Sequence, residues 1–428
     1  MSDLRIAIAG LGTVGGGTVR LLRANAALIA ARAGKSVSIK AVSARDKKKK
    51  RDCDLSGIDW VDAPIALAKR DDVDAVVELM GGAEGAARDL AEAALANGKH
   101  FITANKALIA AHGGALARLA EKNKVHLAFE ASVAGGIPII KTMRESLAGN
   151  RMTIVRGILN GTCNYILTRM GQSQLAFADA LKEAQQKGFA EADPSADIDG
   201  HDAANKLAIL AALAFGAEPD LKSVEVEGIR NIAPADLTFA EELGCRVRLI
   251  GIARLVDGKL EQGVRPVLVP KSLPLAQVSG VLNAVMVHGD FVGDLMLEGS
   301  AAGADPTASS VVSDIIDVAR GNMPFAFGVS AAALKKFAPA GMAQHAGRYY
   351  IRLQVVDKPG VVADISAILR DEAISMEALI QRSRSIDEPG PVVIVTHETN
   401  AEAMRRVFEK LASVKTVIEK PCVMPIEE

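Results

Sequence analysis

Leu4-Arg-Ile-Ala-Ile-Ala-Gly10-Leu-Gly12-Thr-Val-Gly15 decides the fold of the first third of the chain. A short apolar run reads as a buried strand, and the glycines after it lead into an amphipathic helix expected over Gly16 to Ala31. This order of strand, glycine turn and helix is what a dinucleotide fingerprint requires. Gly10 allows the tight turn, Gly12 lets the backbone approach a pyrophosphate, and Gly15 lets helix and strand pack closely. The helix start around Thr13 and Val14 offers amide donors to the phosphates. A Rossmann-type, doubly wound α/β domain follows. Its second strand, Ser36 to Ser43, is succeeded by Arg45 and then Lys47 to Arg51, where an NAD enzyme would carry an acidic residue on the ribose. The guanidinium of Arg45 suits a 2′-phosphate instead, so NADP is the expected cofactor, with NAD possible. Further on, Ala75 to Gly82 reads as a strand and glycine turn, Ala86 to Asn97 as a helix, and His100 to Thr103 as a strand. The last of these delivers Lys106 to the carboxyl edge of the sheet, where ligands bind in such folds.

A second stretch carries the chemistry. Gly188-Phe-Ala-Glu-Ala-Asp-Pro-Ser-Ala-Asp-Ile-Asp-Gly-His-Asp-Ala-Ala-Asn-Lys206 sets Glu191, Asp193, Asp197, Asp199, Asp202 and Lys206 before an apolar run, Leu207 to Phe215. A helix is expected from His201 to Phe215, with Asp202 and Lys206 on one face because they lie four apart. Apolar nearly all round, that helix should be buried, and its polar first turns should line a cavity.

The remaining composition narrows the class. A chain of 428 residues exceeds one core, and two or three domains are expected. Its net charge of -1 gives no reason to expect nucleic acid or an anionic membrane as partner. Cys53, Cys163, Cys245 and Cys422 form no CxxC pair, so neither a disulfide framework nor a zinc site is indicated. With no signal-like start and no apolar run long enough to span a membrane, a cytoplasmic protein is expected. The single Trp60 reads as packing. No HExxH, paired-histidine or GxSxG motif offers a different catalytic route.

GLGTVG, VVELMGG, TANKALIA, FEASVAGGIPII, GILNGTCNYIL, GFAEADPSADIDGHDAANKLAIL and GADPTASSVVSD stand in the order and rough spacing of homoserine dehydrogenase. Over roughly residues 3 to 330 the chain resembles that family. The resemblance implies reversible NAD(P)H-dependent reduction of L-aspartate 4-semialdehyde to L-homoserine, on the route to threonine, methionine and isoleucine. It makes Lys206 the proton donor to the nascent alkoxide, with Asp202 its partner and a ligand of the substrate ammonium. Glu191 and Gly188 match positions at substrate and nicotinamide, Asp197 a further substrate carboxylate, and Lys106 a lysine reaching both substrate and cofactor. Gly303 matches a glycine at the nicotinamide end, followed by a helix from Thr307 to Arg320 that returns to the first domain. The family's monovalent-cation loop falls on Glu130, Val133, Gly135 and Ile137, whose backbone carbonyls would hold Na+. Asn160 to Asn164 sits in a family motif near the substrate, although a polar turn ending a strand explains it equally well. Asp193 and Asp199 read as loop and cap residues.

The tail restarts the pattern. After a small-residue linker at 331-347 come strands from Arg348 to Val356, Ile374 to Gln381, Gly390 to Thr396 and Thr416 to Glu419. Helices from Ala363 to Asp371 and Ala401 to Ala412 complete a ferredoxin-like β-α-β-β-α-β order. The D-K-P-G-V turn makes the region resemble an ACT domain, with Asp357, Gly360 and Val361 at its effector position and L-threonine the expected effector. The division is therefore a nucleotide-binding domain at 1-140 with a returning helix near 305-330, a catalytic and dimerisation domain at 141-304, and the tail at 348-428. A monofunctional chain forming a homodimer or homotetramer is expected, because no aspartokinase-like segment precedes the glycine turn. Two rival readings remain: an aspartate-semialdehyde dehydrogenase using Cys163 as nucleophile, and a non-catalytic amino-acid sensor on the same scaffold.

Overall fold

A computed structural model describes residues 3–340, 346–356, 358–381 and 389–427. Six parallel strands form the first sheet, in the spatial order Asp59–Trp60, Val37–Ser43, Leu4–Ala9, Ala75–Glu78, His100–Thr103 and Leu127–Ala128. Helices cover both faces, which is why neighbouring residues of the first strand are buried on opposite sides. Ile6 and Ile8 enter one core and Ala7 and Ala9 the other, all without exposed surface.

The first helix departs from its expected span. It begins at Thr13 and breaks at Asn25, giving Thr13–Ala24 and Ala26–Ala33. Close packing explains the run of glycines inside it. A Cβ at Gly15 would lie 2.0 Å from the Gly10 carbonyl oxygen, and one at Gly17 would lie 2.8 Å from that of Ala304. The second contact is with the returning helix, Ala304–Arg320, which crosses the first at that point.

The other large sheet is mixed. Its order is Gly293–Ser300, Leu282–Gly289, Met152–Ile158, Cys245–Val256, Lys259–Pro270, Cys422–Ile426, Ala346–Val356, Pro389–Thr396 and Met376–Gln381. The helix His201–Phe215 packs on it, with Leu207 to Ala212 buried. One expectation for the tail needs correction. The final strand lies at Cys422–Ile426 rather than at Thr416 to Glu419, where Val417 makes only an isolated bridge to Val355. Pro421 lacks an amide donor, and pairing starts with the residues after it, which bury Cys422, Met424, Pro425 and Ile426.

That strand also stitches the tail to the rest. It runs antiparallel to Ala346–Val356 and meets Lys259–Pro270 through Leu268 and Ile426, so one sheet continues across the junction. The expected linker is strapped down through residue 340, with Leu260 donating to Ala338 at 3.0 Å and Ala340 donating to Leu260 at 2.9 Å. Beneath the junction, the carboxylate of Asp236 accepts from Tyr350 Oη at 2.9 Å and from Arg352 Nε at 2.6 Å.

Candidate active site

Three segments converge on Asp202. The helix His201–Phe215 starts after Gly200, whose φ of 88° turns the chain sharply into it, and Asp202 lies in the first turn. The expected partner is in place: Lys206 Nζ donates to Asp202 Oδ2 at 2.7 Å. A second lysine approaches from the other domain. Asn105 caps the helix Lys106–Lys122 by accepting from Leu108 N, and Lys106 Nζ reaches Asp202 Oδ1 at 3.0 Å. Asn160 supplies a third contact. Its Nδ2 lies 2.8 Å from Asp202 Oδ2 and 2.7 Å from Asp197 Oδ1, while its Oδ1 caps the helix Gly161–Ser173 through Cys163 N.

This arrangement sets the charge states. Burial alone would raise the Asp202 carboxyl, but the ammoniums of Lys206 and Lys106 and the Asn160 amide hold it below the ordinary range. The Asp202 charge keeps the Lys106 ammonium above its usual pKa against burial, helped by Asp197 and Glu191. Asp197 is raised, chiefly by burial, with the Asn160 bond opposing. An ammonium has three donors. Lys206 spends two, on Asp202 and on the Leu159 carbonyl at 2.6 Å, which leaves one for a ligand. Lys106 is 40% exposed against 12% for Lys206, so the cluster opens on the Lys106 side.

The other residues from this stretch divide as their spacing suggests. Glu191 is exposed beside the cluster, and Gly188 turns the chain with φ 74°. Asp193 accepts from Ser195 N at 3.1 Å, and Asp199 pairs with Arg230. Cys163 is poorly disposed to act as a nucleophile: it is fully buried, donates to the Asp197 carbonyl at 3.2 Å, and has its thiol pKa pushed well up by burial and then by Asp197.

The glycine turn fits a dinucleotide. A Cβ on Gly10, at φ 99°, would strike the Leu79 carbonyl oxygen at 2.5 Å, whereas one on Gly12 would meet nothing within 4 Å. The turn is thus closed toward the sheet and open toward the helix start. There Thr13, Val14 and Gly15 begin a helix with no side-chain cap and no acidic residue in its first turn. Glu78 shapes the neighbouring rim by accepting from Met80 N, Gly81 N and Thr103 Oγ1 at 2.6, 3.1 and 2.7 Å. Arg45 lies just past the second strand, exposed. Gly303, φ 107°, precedes the returning helix.

Sequence reasoning missed Arg51 and placed Asn160 near the substrate without its contacts. Arg51 bonds the Leu11 and Asp46 carbonyls at 3.3 and 2.5 Å and stacks 5.2 Å from the Trp60 ring centroid, fastening the basic loop to the glycine turn. Its place at the end of a lysine run hid it. Asn160 carried a signal, a capping residue before a helix, but not its second role across 42 residues.

At the cation loop, Glu130 uses both carboxylate oxygens on Ile140 N and Lys141 N, at 3.0 and 2.8 Å, leaving its backbone carbonyl as any ligand. Burial first, then Asp314, pushes the Glu130 carboxyl up to about 8. Val133, Gly135 and Ile137 follow, with Ala134 at φ 49° turning the chain between them. In the tail, Gly360, φ 98°, caps the helix Val361–Asp371, Val361 is buried, and Asp357 lies outside the described residues.

Three family models cover most of the chain. Residues 10–130 match the homoserine dehydrogenase NAD-binding domain, 138–316 the homoserine dehydrogenase domain, and 349–416 the ACT domain. A homoserine dehydrogenase of Neisseria gonorrhoeae is 43% identical over 432 aligned positions, spanning 99% of this chain and 98% of its own. The chain belongs to the homoserine dehydrogenase family. It is accordingly an oxidoreductase with a nucleotide-binding domain and a C-terminal ACT domain. One from Pseudomonas aeruginosa is 41% identical, covering 97% of each chain. Among solved structures, a homoserine dehydrogenase from Thiobacillus denitrificans superposes with a TM-score of 0.92 at 40% identity, covering 100% of this chain and 99% of that one. A hyperthermophilic archaeal homoserine dehydrogenase in complex with NADPH gives 0.64 at 28% identity, over 76% of this chain and 99% of its own. Among the described residues no helix is long and apolar enough to cross a membrane.

Proposed function

We propose that this chain reduces L-aspartate 4-semialdehyde to L-homoserine, reversibly, with Lys206 as proton donor. The observation that carries the reading is Asp202 held between two ammoniums, one of which, Lys206, keeps a donor in reserve. A bound NAD(P)H supplies the hydride to the aldehyde carbon. The chain's own residues do the rest. As the carbonyl oxygen gains charge, Lys206 stabilises it and gives up a proton, which general-acid catalysis requires. Asp202 pairs with both lysines and, with Asp197 and Glu191, offers anionic contacts to the substrate ammonium. Lys106, at the domain boundary, reaches substrate and cofactor.

The finer assignments rest on the same footing. Free Arg45 supports NADP over NAD, through its fit to a 2′-phosphate. Glu130, Val133, Gly135 and Ile137 would hold Na+ through backbone oxygens, which suit a hard cation. Asp314 Oδ1, buried close to this loop with no hydrogen-bond partner among the described residues and with Lys141 Nζ 3.8 Å away, adds negative charge there. The ACT tail supports inhibition by L-threonine at Gly360 and Val361; assembly as a homodimer or homotetramer in the cytoplasm completes the reading. The test is L-homoserine-dependent reduction of NADP and of NAD by the purified chain, followed by nicotinamide absorbance, with and without L-threonine. Turnover with a higher kcat/KM for NADP is expected. No turnover with either cofactor would overturn the enzyme reading in favour of a sensor.

A further inference from the structure

A cavity of about 270 Å³ separates the tail from the catalytic sheet and is lined by four charged groups, of which Arg405 is committed to Glu409 at 2.6 Å while Arg265, Glu227 and Lys420 do not pair with one another. Arg265 and Glu227 come from the catalytic side; Lys420, Tyr349, Met404 and Phe408 come from the tail. The Nε and Nη2 atoms of Arg265 are buried and have no hydrogen-bond partner among the described residues. Carboxylates that could serve it are committed elsewhere: Glu261 pairs with Arg254 at 3.2 Å and Glu427 with Arg156 at 3.5 Å. A guanidinium does not escape by losing its proton, and unmet buried donors are costly. Among the described residues Glu227 forms no ion pair, and Lys420 sits 5.7 Å from the centroid of the Phe408 ring.

Opposite charges that line one cavity and stay apart leave room for a molecule carrying both signs. The Nε–Nη2 edge of a guanidinium is the fork that takes a carboxylate through two parallel bonds. We propose that this junction binds a free α-amino acid, its carboxylate on Arg265 and Lys420, its ammonium on Glu227, and its side chain against Met404 and Phe408. Reaching the two donors requires Arg265 to turn into the cavity it lines. Neither Gly360 nor Val361 borders the cavity, so the site is separate from the turn at the start of the tail. Because the cavity is walled by both Pro266 of one strand and Cys422 to Pro425 of the strand beside it, a bound ligand ties the tail to the catalytic sheet.

The test is calorimetric titration and thermal melting of the full chain with the common L-α-amino acids, each added singly at millimolar concentration. L-Homoserine and L-threonine are left out, because the first enters the catalytic crevice and the second is the effector expected at the Gly360 turn. Saturable binding of at least one is expected, with a raised melting temperature, while n-butyrate and n-propylamine, which carry one charge each, bind at least tenfold more weakly. E227Q and K420M, both changes at the cavity wall, should each weaken the amino acid at least tenfold, as should R265Q if it folds. G360A, in the other turn, should leave it unchanged. Absence of saturable binding, wild-type affinity in E227Q and K420M, or loss in G360A alone would each overturn the proposal. Turnover with L-homoserine, read on the same samples, is independent of all three results.

Discussion

Asp202 and Asp236 are both buried carboxylates gripped by cations, and they differ in what their partners have left to give. Asp236 faces the planar Arg352 guanidinium at 2.6 and 3.2 Å, the Tyr350 hydroxyl at 2.9 Å and the Ala233 amide at 2.8 Å. Its residue has no exposed surface and Arg352 only 6%. Asp202 is held by two flexible ammoniums, one of them 40% exposed. The first cluster aims a rigid guanidinium, a hydroxyl and an amide at one buried carboxylate and joins two parts of one sheet. In the second, Lys206 keeps a donor unspent beside an opening, which is what a reaction centre needs.

The contrast breaks most visibly at Lys206. K206A should lower homoserine turnover by about 10²–10⁴-fold, the usual worth of a positioned general acid, while the melting temperature changes little. Steady-state kinetics beside a melting curve checks both, and full turnover would remove the proton-donor role. At the other cluster the effect should reverse. D236A strands Arg352 and should cost about 3–5 kcal/mol of stability, the usual price of breaking a buried pair, with kcat per folded molecule retained. Denaturant titration reads the first quantity and active-site-normalised kinetics the second.

Acid sharpens the comparison. The Asp202 carboxyl has a folded pKa below its unfolded value, so its contribution is present above the ordinary carboxylate pKa of about 4 and is lost as pH falls below it. The stability gap between wild type and D202N should therefore be steady above about pH 5 and narrow below about pH 4. A gap that widens in acid would contradict the assigned charge state. The smallest effect is expected at Arg45. R45A should raise KM for NADP about tenfold and leave KM for NAD nearly unchanged, since one exposed charge-assisted contact is worth roughly 1.4 kcal/mol.

Legibility followed the range of the interaction. The glycine turn was read correctly because strand, turn and helix lie within a dozen residues, and the pair Asp202 and Lys206 because four residues make one helical turn. The helix His201–Phe215 kept its expected limits, since a near-continuous apolar run has one way to be buried. The break at Asn25 escaped notice: nothing local forbids a continuous helix there. Thr416 to Glu419 is β-rich in composition yet makes only an isolated bridge, whereas Cys422–Ile426 forms a strand through partners supplied on both sides by distant chain.

The sequence by itself determined the order of elements, the dinucleotide turn and the residues that bear charge in the crevice, because these depend on backbone periodicity and on side-chain types at short spacing. Only the tertiary structure decided that Lys106 meets Asp202 across 96 positions, that Asn160 bridges two carboxylates, and that the tail continues the catalytic sheet. Such contacts are chosen by how whole layers pack, and packing is a property of surfaces that no short window of sequence contains.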